Sequence, residues 1–459
     1  MVNNSEQQKT SLEVSLSWTE RLGLSASGFG GNLLWTALTS YILFFYTDVI
    51  GVEAVALGTM MLFVRILDGG ADIVMGILVD KTKTKYGKAR PWIKWLAIPF
   101  GLSFIMLFAI PDLSVSGTFI YVTITYVLVN LMYTAIAIPS STLIALVTKS
   151  QYERALLNII GTIASTIASL VVLTITLPMV KAFGNGKNGW LITFAIFGII
   201  AMILYFWTFF SSTERVTEAT KNKEAVPLKV GVKALFSNKY WILITTLLII
   251  AFLNLGVSGS VALYFTTYVM KNAEFIGAIS IASRIPSVLV LAVVCAPLVK
   301  RFGKRNVVMA GSAIAVIGRL TMLIDLTSPI VILVSSVILG VGGGMLGAGS
   351  FAFLSDTVEY GEWKSGVRTE GLIFSASSFG LKVGAGLATA IVGWGLAYFG
   401  YKSGTSVQTD RAIQGIKFLY IWLPMAFSVM QIVILYFYNL DKIYPQIMND
   451  LEVRNEKKD

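Results

Sequence analysis

Long apolar runs separated by short polar loops dominate the pattern of this chain. A helix that crosses a bilayer needs about 20 mostly apolar residues, and twelve such runs follow one another. They cover residues 25–47, 52–79, 91–110, 117–146, 155–181, 189–211, 240–270, 274–299, 305–325, 328–354, 371–399 and 413–438. The polar residues 1–27 lack a short apolar segment with a cleavage site, so we expect no cleaved signal peptide. The pattern predicts an all-α protein with twelve transmembrane helices.

Lysine and arginine are unevenly distributed among the loops. Alternate loops hold twenty basic residues, whereas the opposite loops hold five. Because an excess of Lys and Arg marks cytoplasmic loops, both termini are predicted to lie in the cytoplasm. We expect a multi-pass protein in a bacterial cell membrane.

Composition excludes several functional classes. Of 459 residues, 55% are apolar and 13% are charged, whereas soluble proteins carry about 25% charged residues. The net charge of +11 is explained by the basic loops rather than by binding to nucleic acid. With no histidine and one cysteine, Cys295, the chain has no ligand set for zinc, haem or iron–sulfur, and no histidine-dependent triad. We therefore expect no cofactor, no enzymatic activity and no nucleic-acid partner, and a lipid bilayer as surroundings.

The longest polar interruption divides the runs into six and six. The predicted parts are an N-terminal bundle (1–212), a cytoplasmic linker (213–239), a C-terminal bundle (240–440) and a cytoplasmic tail (441–459). Basic glycine turns occur at matching places, around Gly87 and Gly303. This duplication predicts the major facilitator fold, in which two halves rock about a central site. Alternatively, the basic turns only anchor the topology.

Ionisable residues inside the second run carry the main functional signal. Arg65, Asp68 and Asp72 share one helix face through the spacing i, i+3, i+7. An intramembrane charge costs about 2.5–3.5 kcal/mol and is functional by default. Two carboxylates one turn apart repel each other, so one is expected to hold a proton or to share a cation such as Na⁺. The alternative is a buried ion pair that only holds helices together.

Polar side chains in other runs are candidates for substrate contact. Lys382 lies deep in the eleventh run. Its expected partner is the acidic pair of the second run, on the other side of a central cavity. Alternatively, the lysine side chain extends along the helix to the cytoplasmic face of the membrane. Amide, hydroxyl and aromatic groups suit a sugar, although such residues also bridge packed helices. The candidates are Asn32, Trp35, Thr39, Ser141 and Ser378.

Several motifs coincide with those of a known family. They are Tyr46-Thr-Asp-Val49, Arg65-Ile-Leu-Asp68-Gly-Gly-Ala-Asp72, Tyr86-Gly-Lys-Ala-Arg-Pro-Trp92, Ile138-Pro139, and Asp356-Thr-Val-Glu-Tyr-Gly-Glu-Trp363 followed by Gly366-Val-Arg-Thr-Glu-Gly371. From about residue 18 to 445 the chain resembles the glycoside–pentoside–hexuronide:cation symporters, which include melibiose and glucuronide permeases.

The resemblance implies roles for particular residues. Asp68 and Asp72 match the cation-site acids, Thr134 a threonine that assists that site, and Lys382 a nearby lysine. A cytoplasmic charged network that closes the inner side is matched by Asp356, Glu359, Arg368 and Glu370.

The sequence differs from the family pattern at four positions, and these differences narrow the expected substrates and the expected coupling cation. Asn32 and Ala137 stand where melibiose-type members carry sugar-gripping aspartates, and Thr162 stands for an arginine, so the pattern is closer to the glucuronide and pentoside branch. Ala71 replaces an asparagine that supports sodium, which favours H⁺ over Na⁺, because a proton needs only one carboxylate.

The sequence therefore predicts a monomeric secondary transporter that imports a sugar or glycoside with a cation by alternating access. Cation binding at Asp68 and Asp72 would neutralise one charge and let Lys382 or Arg65 rearrange. The alternatives are a carrier of the same fold for another solute, a uniporter, and, less favoured, a transporter-like sugar sensor.

Overall fold

A computed structural model describes residues 16–216, 228–347, 350–367 and 369–456. These residues are mainly helical. The helices up to Ser211 pack into one compact unit and those from Leu228 onward pack into a second, and each unit is described by itself.

Six long helices form the described part of the first unit. They are α1 (Trp18–Ser40), α2 (Ala54–Lys81), α3 (Arg90–Met106), α4 (Val115–Val147), α5 (Gln151–Ala182) and α6 (Gly186–Ser211). The first continues through Ile42–Phe44 into a π-helical turn, Phe45–Val49. Helix α1 packs against α5 and α6, α2 against α4, and α3 against α4 and α6. The first six apolar runs thus each correspond to one of these helices.

Caps and small residues explain local features of this unit. Ser17 and Ser150 cap α1 and α5 by accepting a hydrogen bond from the backbone N–H three residues ahead. Helices α3 and α6 cross at Gly101 and Gly198, where a Cβ on Gly101 would lie 3.1 Å from the carbonyl oxygen of Gly198. Small residues permit such close helix contacts in membranes.

The second unit contains the remaining described helices. They are α7 (Leu228–Ser237), α8 (Lys239–Tyr264), α9 (Ile276–Leu289), α10 (Lys304–Met322), α11 (Pro329–Gly347), α12 (Ser350–Ser365), α13 (Glu370–Tyr398), α14 (Asp410–Lys417) and α15 (Leu440–Glu456). Helix α9 continues through Val290–Val294 and Cys295–Phe302, and α14 continues through Phe418–Trp422 and Leu423–Phe437. Helix α11 packs against α9 and α10, and α8 against α13.

A buried arginine joins three helical segments of the second unit. Arg319 of α10 donates hydrogen bonds of 2.7 Å to the carbonyl oxygen of Tyr420 and to Oγ of Ser258 on α8. Tyr420 belongs to the π-helical turn Phe418–Trp422. The guanidinium also lies 5.0 Å from the centre of the Tyr420 ring. Arg319 therefore stabilises this turn from inside the unit.

Two segments predicted as polar connections contain helices. Helix α7 lies within the predicted linker 213–239, and α15 fills most of the predicted tail 441–459. In α15 the apolar side chains of Leu440, Ile447 and Leu451 are buried. Their spacing forms one narrow stripe on an otherwise polar helix, so average hydropathy does not reveal it. The tenth run, 328–354, covers α11 and the beginning of α12.

Eight helices among the described residues are long and apolar enough to cross a membrane. They are Val115–Val147, Gln151–Ala182, Gly186–Ser211, Lys239–Val269, Phe275–Phe302, Pro329–Gly347, Glu370–Tyr398 and Asp410–Phe437. Helix α2, which carries the ionisable residues of the second run, is not among them.

Candidate functional site

The candidate site lies where α1, α2 and α4 meet in the first unit. On α2, Arg65 and Asp68 are 5% and 3% exposed, and Thr134 on α4 is 2% exposed. Two opposite charges three residues apart share one helix face, and this face of α2 is turned toward α4. The structure thus buries two of the three ionisable residues that the second run predicted as functional.

The Asp68 carboxylate contacts a hydroxyl group through one oxygen and the guanidinium group of Arg65 through the other. The Thr134 hydroxyl donates a short hydrogen bond to Oδ1 of Asp68, and Nη1 of Arg65 lies 3.8 Å from Oδ2. A separation of 3.8 Å is an ionic contact beyond hydrogen-bond distance. Arg65 therefore offsets the charge of Asp68 without a tight bidentate bond.

An aromatic pair borders the arginine. The Trp35 ring of α1 stacks against Tyr133 of α4, with 5.1 Å between ring centres and 28° between planes. The Arg65 guanidinium carbon lies 4.5 Å from the centre of the Trp35 ring, a distance at which cation–π attraction is significant. Arg65 consequently has an ionic and an aromatic partner.

Surrounding packing keeps this pair in place. Phe100 contacts Tyr133 at 6.1 Å between ring centres, and Tyr205 contacts Phe100 at 5.6 Å. Next to Trp35 in the chain, the hydroxyls of Thr36 and Ser169 are hydrogen-bonded at 2.9 Å, which ties α1 to α5. Uncharged contacts therefore also hold together the helices that carry the site.

Other predicted residues of this unit are more peripheral. Asp72 lies one turn beyond Asp68 and is half-buried. The side chains of Asn32, Thr39 and Ser141 each donate a hydrogen bond to a carbonyl of their own helix, at 3.4, 2.9 and 2.9 Å. A hydroxyl that donates in this way can still accept a hydrogen bond from a ligand.

Two predicted residues lie on α13 of the second unit. Lys382 is half-buried and Ser378 is exposed. The neighbouring Ser377, which sequence reasoning did not select, is buried and bonds to Trp241 at 3.2 Å and to Thr245 at 3.1 Å. Ser377 thus joins α13 to α8, a packing role that a serine-rich helix face does not distinguish from substrate contact.

One of the residues predicted for the charged network, Asp356, forms an ion pair in the second unit. Asp356 on α12 is buried and forms an ion pair with Lys304. It also accepts a hydrogen bond of 3.4 Å from the Tyr438 hydroxyl. Of the other predicted members, Glu359 is half-buried and Glu370 is exposed, whereas Arg368 lies outside the described residues.

Sequence reasoning missed the partners in this network. Lys304 also lies 3.7 Å from Asp441 at the beginning of α15. Trp363 of α12 donates a hydrogen bond of 2.9 Å to Asp450 on the same helix α15. Lys304 was counted only as a topological charge, and a helical apolar stripe in 440–451 was the available signal for α15.

The first unit carries charged contacts that the sequence did not predict either. Arg215 bonds to Glu20 at 2.6 Å, and Arg21 bonds to Glu153 at 2.6 Å. The Glu214 carboxylate accepts hydrogen bonds of 2.8–2.9 Å from three successive backbone N–H groups at the beginning of α3. A carboxylate is favoured at this end of a helix.

Comparison with known proteins identifies the family. Residues 23–442 match the model of the family described as MFS/sugar transport protein. The chain belongs to this family. The chain is 34% identical over 446 residues to the isoprimeverose transporter of Lactiplantibacillus pentosus, covering 95% of this chain and 92% of that one. It is 30% identical over 416 residues to the inner membrane symporter YicJ of Escherichia coli (strain K12), covering 89% of each.

A solved structure supports the fold. The crystal structure of a D-xylose-proton symporter matches with a TM-score of 0.64 at 15% identity, over 92% of this chain and 98% of that one. The chain therefore has the all-helical major facilitator fold. It is a multi-pass transporter of the cell membrane and not an enzyme.

Proposed function

We propose that this chain imports a glycoside, pentoside or hexuronide together with a cation by alternating access. The observation that carries the proposal is Asp68, a carboxylate buried in a helix of a membrane transporter, with Thr134 on one oxygen and Arg65 near the other. A carboxylate in this setting can change its charge when it takes up a proton or a sodium ion. The likeness to a sugar transporter and to a symporter supports both parts of the proposal.

The finer architecture is also a proposal. We infer twelve transmembrane helices with both termini in the cytoplasm, divided into bundles 1–212 and 240–440 by a cytoplasmic linker. The chain acts as a monomer. The basic loops and the six-plus-six pattern of apolar runs support the topology and the division into two bundles.

We assign roles to the candidate residues as follows. Asp68, Asp72, Thr134, Arg65 and Lys382 serve cation coupling. The sugar is contacted by Asn32, Thr39, Ser141 and Ser378. Asp356, Glu359, Arg368 and Glu370 serve the cytoplasmic gate. Ser141 supports this assignment, since its hydroxyl donates to a carbonyl of its own helix and can still accept a hydrogen bond from a sugar.

We favour H⁺ as the coupling cation and a glycoside such as isoprimeverose as substrate. Ala71 offers no side-chain oxygen beside the acids, and Na⁺ prefers several oxygen ligands. The isoprimeverose transporter is the relative that motivates the substrate. Isoprimeverose is therefore the first sugar to test, followed by xylosides and glucuronides.

The test is sugar-induced proton movement. Energy-depleted cells that express the chain are given each sugar without sodium while the external pH is recorded. We expect alkalinisation with one sugar class and its loss in Asp68→Asn, because the amide cannot take up a proton. Thr125→Val is a matched control, since Thr125 is a buried threonine of the same helix α4 whose hydroxyl donates to carbonyls of that helix.

The results separate the candidates. Uphill sugar accumulation by Asp68→Asn with unchanged coupling would refute the role of Asp68. Sugar uptake that requires sodium would replace H⁺ by Na⁺ at the same site. Uptake without any cation dependence would refute symport.

A further inference from the structure

The Trp35 ring contacts Arg65, the arginine beside Asp68 in the proposed cation site, and can therefore influence its position. The sequence suggested Trp35 as a ring for stacking on a sugar, but its indole already contacts two side chains. Arg65 lies 4.5 Å from the ring centre, and the Tyr133 ring stacks at 5.1 Å. These contacts occupy π surface that a sugar ring would need.

Arg65 has two competing partners. Its guanidinium stays charged under all physiological conditions and is buried. Asp68 attracts it only while the carboxylate is ionised and has no cation bound, whereas the Trp35 ring attracts it in both states. Loading of Asp68 therefore shifts the balance toward Trp35.

We propose, on the basis of the proposed cation coupling, that Trp35 is a positioning residue that holds Arg65 off the Asp68 carboxylate and thereby sets its affinity for the coupling cation. The 3.8 Å separation between Arg65 and Asp68, longer than a hydrogen bond, is the geometric sign of this restraint. Tyr133 supports Trp35 from α4. Without the indole, Arg65 closes on Asp68 and stabilises the ionised, unloaded carboxylate.

The charged and titratable groups around this carboxylate bear on the design of the test. They include Arg65 and Asp72 on its own helix and Tyr133 on α4. The uncharged Thr134 and Trp35 also border the site. A substitution at Trp35 therefore changes none of these charges and acts on Asp68 through Arg65.

The experiment measures protonation of Asp68 directly, without transport. Purified protein in detergent is treated with dicyclohexylcarbodiimide across a pH series, and modification of Asp68 is quantified by mass spectrometry. Carbodiimides react with the protonated carboxyl group. We expect the midpoint of modification to move to lower pH by about one unit in Trp35→Leu. Trp35→Phe, which keeps a weaker cation–π partner, shifts it less.

A matched control separates this effect from general loosening. Trp190 is buried in an aromatic cluster of the same unit, where it stacks with Phe194 at 5.8 Å between ring centres. Trp190→Leu should reduce thermal stability and leave the midpoint of Asp68 unchanged. If Trp35→Leu does not fold, Trp35→Phe still provides the comparison.

Sugar kinetics supply the second readout. A positioning role predicts that KM for the sugar, measured at a pH that saturates the cation site, changes less than about twofold in Trp35→Phe. An unchanged midpoint together with a KM increase of about tenfold would identify Trp35 as a sugar-stacking residue and overturn the inference alone. Absence of pH-dependent modification in the wild-type protein would overturn proton coupling and this inference with it.

Discussion

Removal of the Thr134 hydroxyl tests the chemistry of the proposed cation site and distinguishes a proton from sodium. Thr134→Val keeps the shape of the side chain and deletes the donor that contacts Oδ1 of Asp68. Valine fits sterically because it has the size and branching of threonine, and Thr134 is buried. The perturbation is therefore confined to one hydrogen bond.

The expected magnitude follows from the two charge states of Asp68. A hydrogen bond to an ionised group contributes about 1.5–3 kcal/mol, and one between neutral groups contributes about 0.5–1.5 kcal/mol. Thr134 thus favours the ionised carboxylate by about 1 kcal/mol. Since about 1.4 kcal/mol corresponds to a tenfold change in an equilibrium constant, its loss should raise the affinity of the site for a proton about fivefold.

The assay is sugar uptake as a function of external pH at low membrane potential, with Thr134→Ser and Thr125→Val as controls. Serine keeps the hydroxyl, and Thr125 lies about 14 Å from Thr134 along the axis of α4, at 1.5 Å per residue. If the cation is H⁺, the midpoint of Thr134→Val moves to higher pH. If it is Na⁺, the half-saturating sodium concentration rises several-fold, because a ligand oxygen is lost. A midpoint that moves to lower pH, or an equal change in Thr125→Val, would refute the reasoning.

Two further predictions concern the second unit. Arg319→Lys should lower the free energy of unfolding by about 1.5–3 kcal/mol, because an ammonium group does not reproduce the planar guanidinium that reaches both the Tyr420 carbonyl and Ser258. Thermal unfolding in detergent measures this loss. An unchanged melting temperature would contradict the prediction. Asp356→Asn should destabilise the unit by about 1–3 kcal/mol, since it deprives the partly buried Lys304 of its closest carboxylate. The more distant Asp441→Asn, at 3.7 Å from the same ammonium group, should cost less, and equal losses would refute the ranking.

Helix content could be predicted from the sequence because the bilayer imposes a simple rule. Each of the long helices in the first unit corresponds to an apolar run, and the family confirms the all-helical major facilitator fold. Helix α15 could not be predicted from apolar runs, because its apolar positions form a narrow stripe that packs against other helices of the protein. Hydropathy reports on contact with lipid, and contact with a neighbouring helix requires periodicity.

The site was predictable along one helix and not between helices. The spacing of Arg65 and Asp68 on α2 already implied a shared face, which the structure contains. The contact of Arg65 with Trp35 joins residues of different helices, so it cannot be predicted from the spacing of residues along one helix. Lys304 illustrates the same limit, because a basic residue at a loop looks topological until its acidic partners on α12 and α15 are placed.

If Asp68 couples cation uptake as proposed, the arrangement around it accommodates a charge on α2 in both states of the transport cycle. Arg65 and the ionised Asp68 sum to zero, so the unloaded pair avoids most of the cost of an isolated charge. Cation binding at Asp68 leaves one net positive charge on this pair of residues. The Trp35 ring then gives Arg65 a partner that does not depend on the carboxylate. Loading adds one positive charge whatever charge the neighbouring groups carry, so an inside-negative potential favours inward movement of the loaded form over the unloaded form by about 2.3 kcal/mol per 100 mV. The aromatic contact and the electrical driving force therefore act on the same state, which is the state in which a symporter must move its sugar.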